Sequence, residues 1–355
     1  MTRLDKLLAG ALLVAGASLG ACLFLFAPHG KGPEIQDEFA YLLQAKMLAS
    51  GHLSYPSPPL AEFFEAAHVL VVPRYAAKYL PGHAAVLAPF VAFGVPWLAP
   101  ALLLGATFAL LYAAARYARL PIWAALLAVA VFAGSTEAIL AFSGYLSQSS
   151  SIALVTAAIA AAAALRNRAS LPRCALLFSC ASAAAFVRPF TGVAAIAAAI
   201  VVLATLRPRP LATYAIAAAV PLLAAGTLGL AVCRATTGSW TLPPWKLYAQ
   251  QYMPFDGPGI GAVGDSRPSR ALPAHLAPLA RSFEQSREAY AWQRIPSEAS
   301  RRLEIVEDLP PGRVSLAFVA AGALSPALLF AWVFAPLYFA LQLTFHVGMP
   351  TYYVE

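Results

Sequence analysis

Long apolar stretches dominate the chain and predict membrane-crossing helices. Such runs occupy residues 7–27, 97–115, 120–140, 147–165, 171–187, 190–206 and 211–233. Each is long enough, or nearly so, to cross the roughly 30 Å of hydrocarbon in a bilayer as a helix. A further apolar region, 314–345, is too long for one straight crossing and short for two, so its course stays open. We therefore predict an all-α fold, a polytopic transmembrane helical bundle with about eight or nine spans.

Between the first two runs the pattern is amphipathic. The segment PEIQDEFAYLLQAKMLASGHL carries apolar residues at the spacing of a helix with one apolar face: Phe39, Leu42, Leu43, Met47 and Leu48. A second amphipathic segment, AEFFEAAHVLVV, follows, and residues 81–93 are apolar but short and interrupted by proline. We predict amphipathic helices lying along the membrane surface in a first outer loop, 28–96, and a half-buried helix leading into the second span.

The later part of the chain turns polar and then apolar again. Residues 234–313 are rich in proline, glycine and arginine, and a connection this long predicts a second extracytoplasmic loop domain with short helices near 281–292 and 297–307. The predicted organisation is a membrane domain over 1–233, this loop domain over 234–313, and C-terminal apolar span or spans over 314–355.

Composition excludes a soluble domain. Of the 355 residues, 60% are hydrophobic and only 11% are charged, well below the quarter typical of soluble proteins. The net charge of +8 comes from short basic clusters between apolar runs, which is typical of membrane loops and gives no reason to expect a nucleic-acid partner. The expected neighbours are membrane lipids.

Basic residues also predict the orientation. Arg3 and Lys6 precede the first run, and further arginines fall on every second connection, whereas FSGYLSQSS between two runs has no positive charge. Positive loops stay in the cytoplasm. We predict an integral protein of the plasma (inner) membrane, with a cytoplasmic N-terminus and large extracytoplasmic loops.

The candidate residues for catalysis and substrate binding lie mainly in the outer loops. Asp37 and Glu38 stand at the start of the first amphipathic helix, where exposed N–H groups favour a carboxylate. Asp37 is therefore either a helix cap or a catalytic carboxylate at the membrane surface, and Glu38 assists it or only orients it. The other candidates for substrate contact are Arg74, Lys78, His83, Arg188, Lys246 and Tyr248.

Each of these has a structural alternative. Arg188 and Lys78 suit either a phosphate group or interfacial anchoring. His68 and His83 are structural histidines or substrate contacts, and Tyr248 fits an interfacial aromatic belt as well as a sugar platform. The four cysteines lie in or beside apolar runs without metal-ligand spacing. Paired acids are compatible with a divalent metal, but no His or Cys constellation supports one, so no cofactor is predicted.

Several segments resemble a known family. DEFAYLLQAKMLASGHL, PSPP and KYLPGHAAVLAPFVAFGVPW resemble the first outer loop of bacterial GT-C glycosyltransferases, the group that includes protein O-mannosyltransferases and the aminoarabinose transferase of lipid A. FVRPFTG and ATTGSWTLPPWKLYAQQY are similar to an arginine–proline hairpin and a late outer-loop segment of a bacterial branch. The resemblance runs in order from the first span to about Gly261.

The resemblance implies an integral enzyme that moves a sugar from a polyprenyl-phosphate-linked donor to a lipid, glycan or protein acceptor. Asp37 matches the family's acid, which acts as general base on the acceptor hydroxyl or helps to hold the acceptor. Arg188, then Lys78, then Arg74 are the cations expected to bind the departing phosphate. A lipid-carrier transporter or flippase, and an inactive family member, are the alternatives. Because members continue through further spans after the late loop, we also expect a chain that is truncated relative to the family, lacks an internal loop, or is a degenerate copy.

Overall fold

The computed structural model describes residues 1–26, 32–261, 267–308 and 325–345, most of them helical. The α-helices are α1 (Arg3–Leu25), α2 (Gln36–Ala49), α3 (Gly82–Ala92), α4 (Leu98–Tyr117), α5 (Ile122–Ala133), α6 (Thr136–Leu140), α7 (Gln148–Asn167), α8 (Leu171–Val187), α9 (Pro189–Leu206), α10 (Leu211–Thr237), α11 (Pro244–Tyr252), α12 (Ala277–Ala289), α13 (Ile295–Asp308) and α14 (Leu329–Gln342). Three short strands are β1 (Tyr55–Pro56), β2 (Val69–Leu70) and β3 (Arg74–Ala77). The prediction of a helical bundle is confirmed in this coarse form.

Five helices in the described residues are long and apolar enough to cross a membrane: α1, α4, α7, α9 and α10. Helices α3, α5, α8 and the segment Pro326–Gln342 are apolar but shorter. At 1.5 Å per residue, the 17 residues of α8 extend about 26 Å, a little short of the hydrocarbon thickness. The finer prediction of eight or nine spans stays a prediction.

The apolar run 120–140 forms two helices rather than one. Helix α5 ends at Ala133 and α6 begins at Thr136. Gly134 is a poor helix former, and the Ser135 hydroxyl accepts a hydrogen bond from the Ala138 amide over 3.3 Å, which starts a new helix. The single uninterrupted span expected from the apolar run is therefore wrong.

Successive long helices run in opposite directions, so the connections between them lie at two ends of the bundle. The residues at these two ends differ in their chemistry. At one end, Arg116 Nε donates to the buried Asp5 carboxylate over 2.7 Å and joins the start of α1 to the end of α4. At the same end, Arg166 Nη1 donates to Thr205 Oγ1 over 3.0 Å. We call this the arginine end; it carries the N-terminus and the connections 118–121, 168–170 and 207–210.

The opposite end, which we call the loop end, carries residues 32–97, 141–147 and 238–261 and the turn at Arg188. The Ser54 hydroxyl donates to the Ala235 carbonyl over 2.7 Å and fastens the first outer loop to the end of α10. Helix α14 also ends here, since the Phe345 ring lies 6.5 Å from that of Phe190. Residues 314–324 and 346–355 of the predicted C-terminal region, and residues 309–313 of the predicted second loop domain, lie outside the described residues.

The first outer loop contains a small sheet that was not predicted. Its strand order is β1-β3-β2, with both pairings antiparallel. The segment 61–72, expected as an amphipathic helix, forms only one turn of 3-10 helix (Ala61–Phe64) followed by β2. Leu60 and His68 adopt positive φ angles of 54° and 66°, which no α-helix accommodates. The run of valines after His68 favours extended backbone, so the helix expectation here is wrong.

The predicted helices of the late loop and the half-buried helix before the second span are present. Helices α12 and α13 lie near the two expected positions. Helix α3 is buried along one side through His83, Ala84, Leu87 and Ala88 and packs against α2 and α8.

Small residues set the packing distance between the long helices. A Cβ atom added at Gly20 would lie only 2.6 Å from the Cα atom of Ala101, because α1 and α4 touch through their backbones. Farther along the bundle, buried alanines of α7, α8 and α9 form one core with Phe330, Phe334 and Tyr338 of α14. Close approach through small residues is how helices associate where lipid removes the hydrophobic driving force.

We expect Gly20→Ala to lower the free energy of unfolding by about 1–3 kcal/mol, because the added methyl group overlaps the α4 backbone. Gly10→Ala on the same helix is the control, since its Cβ would meet no atom within 4 Å, and it should be neutral or stabilise the protein by up to about 1 kcal/mol. Thermal unfolding of both variants in detergent checks this. Equal midpoints for the two variants would contradict the close α1–α4 packing.

Candidate functional site

Antiparallel pairing of β2 with β3 brings two basic residues together at the loop end. Val69 pairs with Ala77, so the residues just outside the pair, His68 and Lys78, face each other. The Lys78 amide donates to the His68 carbonyl over 2.9 Å. Both residues are buried, with exposed fractions of 7% and 9%. The register of two short strands therefore positions both side chains.

Asp37, in the first turn of α2, faces this pair. His68 Nε2 lies 3.7 Å from Asp37 Oδ1, and the Tyr79 hydroxyl donates a hydrogen bond to the same oxygen. The Tyr79 ring stacks on Tyr41 of α2 with the ring centroids 4.5 Å apart. The Asp37 side chain keeps 39% of its surface exposed. It is thus a carboxylate held from one side and open to solvent on the other.

Lys78 is bound by a carboxylate from the late loop. Its Nζ lies 3.0 Å from Asp256 Oδ2, and both side chains are largely buried. The same Nζ lies 5.1 Å from the ring centroid of Tyr248 on α11 and 5.4 Å from that of Tyr79. The ammonium group therefore sits in an aromatic site and its charge is balanced by Asp256.

The late loop is fastened to the first loop around this cluster. The Tyr248 hydroxyl accepts a hydrogen bond from the His68 amide over 3.1 Å. Farther out, Glu65 Oε1 accepts from the Tyr252 hydroxyl over 3.0 Å and from Arg270 Nη2 over 2.8 Å. These contacts join residues far apart in the chain into one surface at the loop end.

Burial and neighbouring charges set the protonation of the cluster. Burial, aided by the positive charge of Lys78, lowers the pKa of His68 to about 4, so the imidazole is neutral at pH 7. Burial also opposes charge on Lys78, but Asp256 and, less strongly, Tyr248 and Asp37 reverse this and raise its pKa. Burial and the Asp37 charge raise the pKa of Tyr79 well above its ordinary value, so its phenol remains a donor.

Glu38 and His83, both predicted as site residues, join elements together. Glu38 is 4% exposed, and its carboxylate accepts from the backbone amides of Glu34 over 2.7 Å and Tyr145 over 2.6 Å. His83 is fully buried, with Nδ1 2.8 Å from Ser150 Oγ and Nε2 2.8 Å from the Tyr145 carbonyl. Their polar atoms are engaged within the protein. This arrangement favours the structural interpretation for both.

The remaining predicted cations are spread over the loop end. Arg188 is half-buried in the turn between α8 and α9, where Gly82 of α3 packs against the last turn of α8. Arg74 Nε donates to Ser54 Oγ over 3.1 Å and supports the junction between the first loop and α10. Lys246 is exposed on α11. The structure thus brings Asp37, Lys78 and Tyr248 together, and it places Arg74 and Lys246 apart from them.

Tyr79 and Asp256 are site residues that the sequence analysis missed. Tyr79 follows Lys78 directly, and an aromatic residue next to a candidate cation was the available signal. Asp256 lies in the loop after α11, and no local pattern relates it to Lys78, 178 positions away.

No metal centre is found in the part of the chain that the structure describes. No three His, Cys, Asp or Glu side chains there are grouped so that they could hold a metal ion. The absence of a cofactor stays a prediction. A shallow groove of about 510 Å³ on the late loop shares no residue with the Asp37 cluster; it is lined by Ser286, Ala289, Tyr290, Arg294, Ser297, Glu298 and Arg301.

We expect Asp256→Asn to lower the free energy of unfolding by about 3–5 kcal/mol, because it leaves the buried Lys78 ammonium without its partner. The double variant Lys78→Met with Asp256→Leu should lose much less of the free energy of unfolding, since it leaves no buried charge unpaired. Replacing the exposed Lys246 by Met is the control and should cost less than about 0.5 kcal/mol. Chemical unfolding in detergent measures all three. A loss in the double variant as large as the loss in Asp256→Asn would contradict a coupled pair.

Comparison with known proteins does not assign the chain to a family. No protein-family model matches the chain, and no curated protein or solved structure matches it. The arrangement of Asp37, Lys78 and their neighbours is therefore the structural basis for a proposed function.

Proposed function

We propose that the chain is an integral membrane glycosyltransferase that moves a sugar from a polyprenyl-phosphate-linked donor to an acceptor hydroxyl. One observation carries the proposal: the half-exposed Asp37 carboxylate lies at the loop end beside buried Lys78, at the border of an apolar bundle. A substrate with a lipid tail and a phosphate head matches that position. The family resemblance of the first outer loop supports the same activity.

The concentration of arginines at one end of the bundle supports an orientation of the protein in the membrane. The arginine end carries Arg116, Arg119, Arg166, Arg168 and Arg207, and such residues favour the cytoplasmic side. In our proposal the loop end, with Asp37, then faces the extracytoplasmic side of the plasma membrane. Transfer takes place there, after the donor has crossed.

Asp37 supplies the base that an inverting transfer needs. As the acceptor oxygen bonds to the anomeric carbon, its proton passes to the Asp37 carboxylate. The bond between that carbon and the donor's phosphate oxygen breaks, and the electron pair leaves with the polyprenyl phosphate. Partial exposure lets an acceptor reach the carboxylate, and the bond from Tyr79 fixes its orientation.

Lys78 supplies positive charge for the departing phosphate. Its partner Asp256 comes from another loop, so a phosphate can replace one anion by another without leaving Lys78 unpaired. Arg188, in the turn beside the start of α3, is the second proposed phosphate ligand. Because Asp256 lies in the late loop, its displacement from Lys78 by the donor phosphate would also couple donor binding to movement of that loop.

A transporter would need a polar path through the bundle, and the buried charges do not form one. Of the charged side chains buried in the described residues, only Asp5 lies on a candidate span, and it sits at the arginine end beside Arg116. The other buried charges lie in the loops or beside them. This distribution favours chemistry at one membrane face over passage across it.

We expect Asp37→Asn to lower kcat by about 10²- to 10⁴-fold, because the amide cannot accept the acceptor's proton. Purified protein in detergent, supplied with labelled polyprenyl-phosphate sugars and a mixture of acceptor lipids and glycans, provides the assay. Glu62→Gln, an exposed carboxylate on the same loop, is the matched control and should retain full turnover. Full activity of Asp37→Asn would remove Asp37 from the chemistry. No turnover by the wild type with any donor would favour the transporter or an inactive protein.

We expect a cysteine at Glu62 to react with a membrane-impermeant maleimide in whole cells, and a cysteine at Arg209 to react only after the cells are opened. Both positions are exposed, at the loop end and the arginine end respectively. The unsubstituted chain corrects for its own cysteines, of which Cys22 is exposed. The reverse pattern of labelling would place Asp37 in the cytoplasm and overturn the proposed orientation.

A further inference from the structure

His68 has three unusual features at one position. Its backbone φ of 66° lies in the left-handed region, which a non-glycine residue adopts only when its surroundings impose it. Its side chain is buried between the first loop and α11. Its Nδ1 atom is buried without a hydrogen-bond partner, a rare and costly state for a polar atom. Strain and an unsatisfied atom together indicate a residue kept for its chemistry.

The unsatisfied nitrogen determines which tautomer is favoured. A proton on Nδ1 would leave a buried donor without an acceptor. A proton on Nε2 leaves Nδ1 as an unpaired acceptor and puts the donor on the nitrogen that lies 3.7 Å from Asp37 Oδ1. The second arrangement pairs the donor with a carboxylate, so it is the lower in energy. The distance is longer than a hydrogen bond and closes with a movement of less than about 1 Å.

Two side chains lie next to the same oxygen of the Asp37 carboxylate. The Tyr79 hydroxyl and His68 Nε2 face Oδ1. Within the described part of the chain, Oδ2 makes no hydrogen bond. A carboxylate fixed through one oxygen presents the other in a defined direction.

We propose that His68 is a positioning residue that holds Asp37 Oδ1 through Nε2–H, so that Oδ2 is the atom that takes the acceptor's proton. This inference rests on the proposed glycosyl transfer. It adds to that proposal a residue and an atom that neither the sequence pattern nor the family resemblance assigns.

The neutral state of His68 matters to this role. An imidazolium beside Asp37 would stabilise the carboxylate and weaken it as a base. Burial and the charge of Lys78 lower the pKa of His68 to about 4 and prevent this at neutral pH. The other groups that face the imidazole are Tyr79, Tyr248 and, from the late loop, Asp256.

In the unfolded chain the pKa of His68 returns to about 6.5. The lowered pKa of His68 therefore has no effect on stability well above pH 6.5 and destabilises the fold as the pH falls from 6.5 towards 4.

Two substitutions separate positioning from packing. His68→Gln places an amide N–H at the position of Nε2, whereas the amide of His68→Asn ends one bond short of it. Asparagine tolerates the left-handed backbone better than glutamine, so poorer folding would affect His68→Gln more. We expect His68→Asn to lose about a hundredfold in kcat with the KM for the donor unchanged, and His68→Gln to keep most of the activity. A larger loss for His68→Gln than for His68→Asn would overturn the proposal.

Nitrogen NMR of histidine-labelled protein tests the contact without relying on turnover. The His68 resonances, identified by their loss in His68→Asn, should show a neutral ring with the proton on Nε2 at pH 7. Their shifts should change in Asp37→Asn and stay fixed in Glu62→Gln. A proton on Nδ1, a charged ring, or no response to Asp37→Asn would overturn the inference. If the wild type shows no turnover while these shifts behave as expected, the transferase proposal fails and the His68–Asp37 contact stands.

Discussion

The site depends on the pairing of two very short strands. Because β2 and β3 pair with Val69 opposite Ala77, His68 and Lys78 meet where the strands end, and Tyr79 extends from the same point to Asp37. A shift of one residue in this register would turn each of these side chains to the other face of the ribbon. The pairing is held from outside, since the His68 amide binds Tyr248 and the Gln251 amide group donates to the Val72 carbonyl over 2.8 Å. Strands of only two to four residues form few backbone hydrogen bonds, so the late loop is part of the site's architecture.

The bundle supplies the rigid base for this ribbon. Glu38 and His83 bind the backbone of Tyr145 from α2 and α3, so both helices are locked to the segment that begins α7. Close α1–α4 contact and the alanine core around α8 then fix those helices relative to one another. The polar residues that the sequence marks for chemistry thus divide into two groups. One group positions the elements, and the other, formed by the partly exposed Asp37 with the buried Lys78 and its neighbours, lies at the loop end.

Most of the helical framework could be predicted from the sequence, because lipid-exposed backbone must satisfy its own hydrogen bonds and apolar runs then become helices. The secondary-structure predictions that were wrong have local causes. Ser135 caps a new helix inside an apolar run, and the left-handed residues Leu60 and His68 break a segment whose apolar spacing resembled a helix. The acid Asp37 was identified correctly as lying at the start of a helix at the loop end. Its neighbours Tyr79 and His68 were not, because they are brought to Asp37 by the pairing of β2 with β3. The contact between Lys78 and Asp256 was missed because it joins two loops that only tertiary structure brings together.

Charge connects these features. A buried lysine needs an anion, Asp256 provides one in the protein alone, and a lipid phosphate is proposed to replace it during transfer. The most direct measurement is an experimental structure of the protein in a lipid nanodisc with polyprenyl phosphate bound. The account predicts the phosphate at hydrogen-bond distance from Lys78 Nζ, Asp256 displaced from it, and Asp37 facing the open space beside the phosphate. A phosphate bound elsewhere, with the Lys78–Asp256 pair intact, would contradict it.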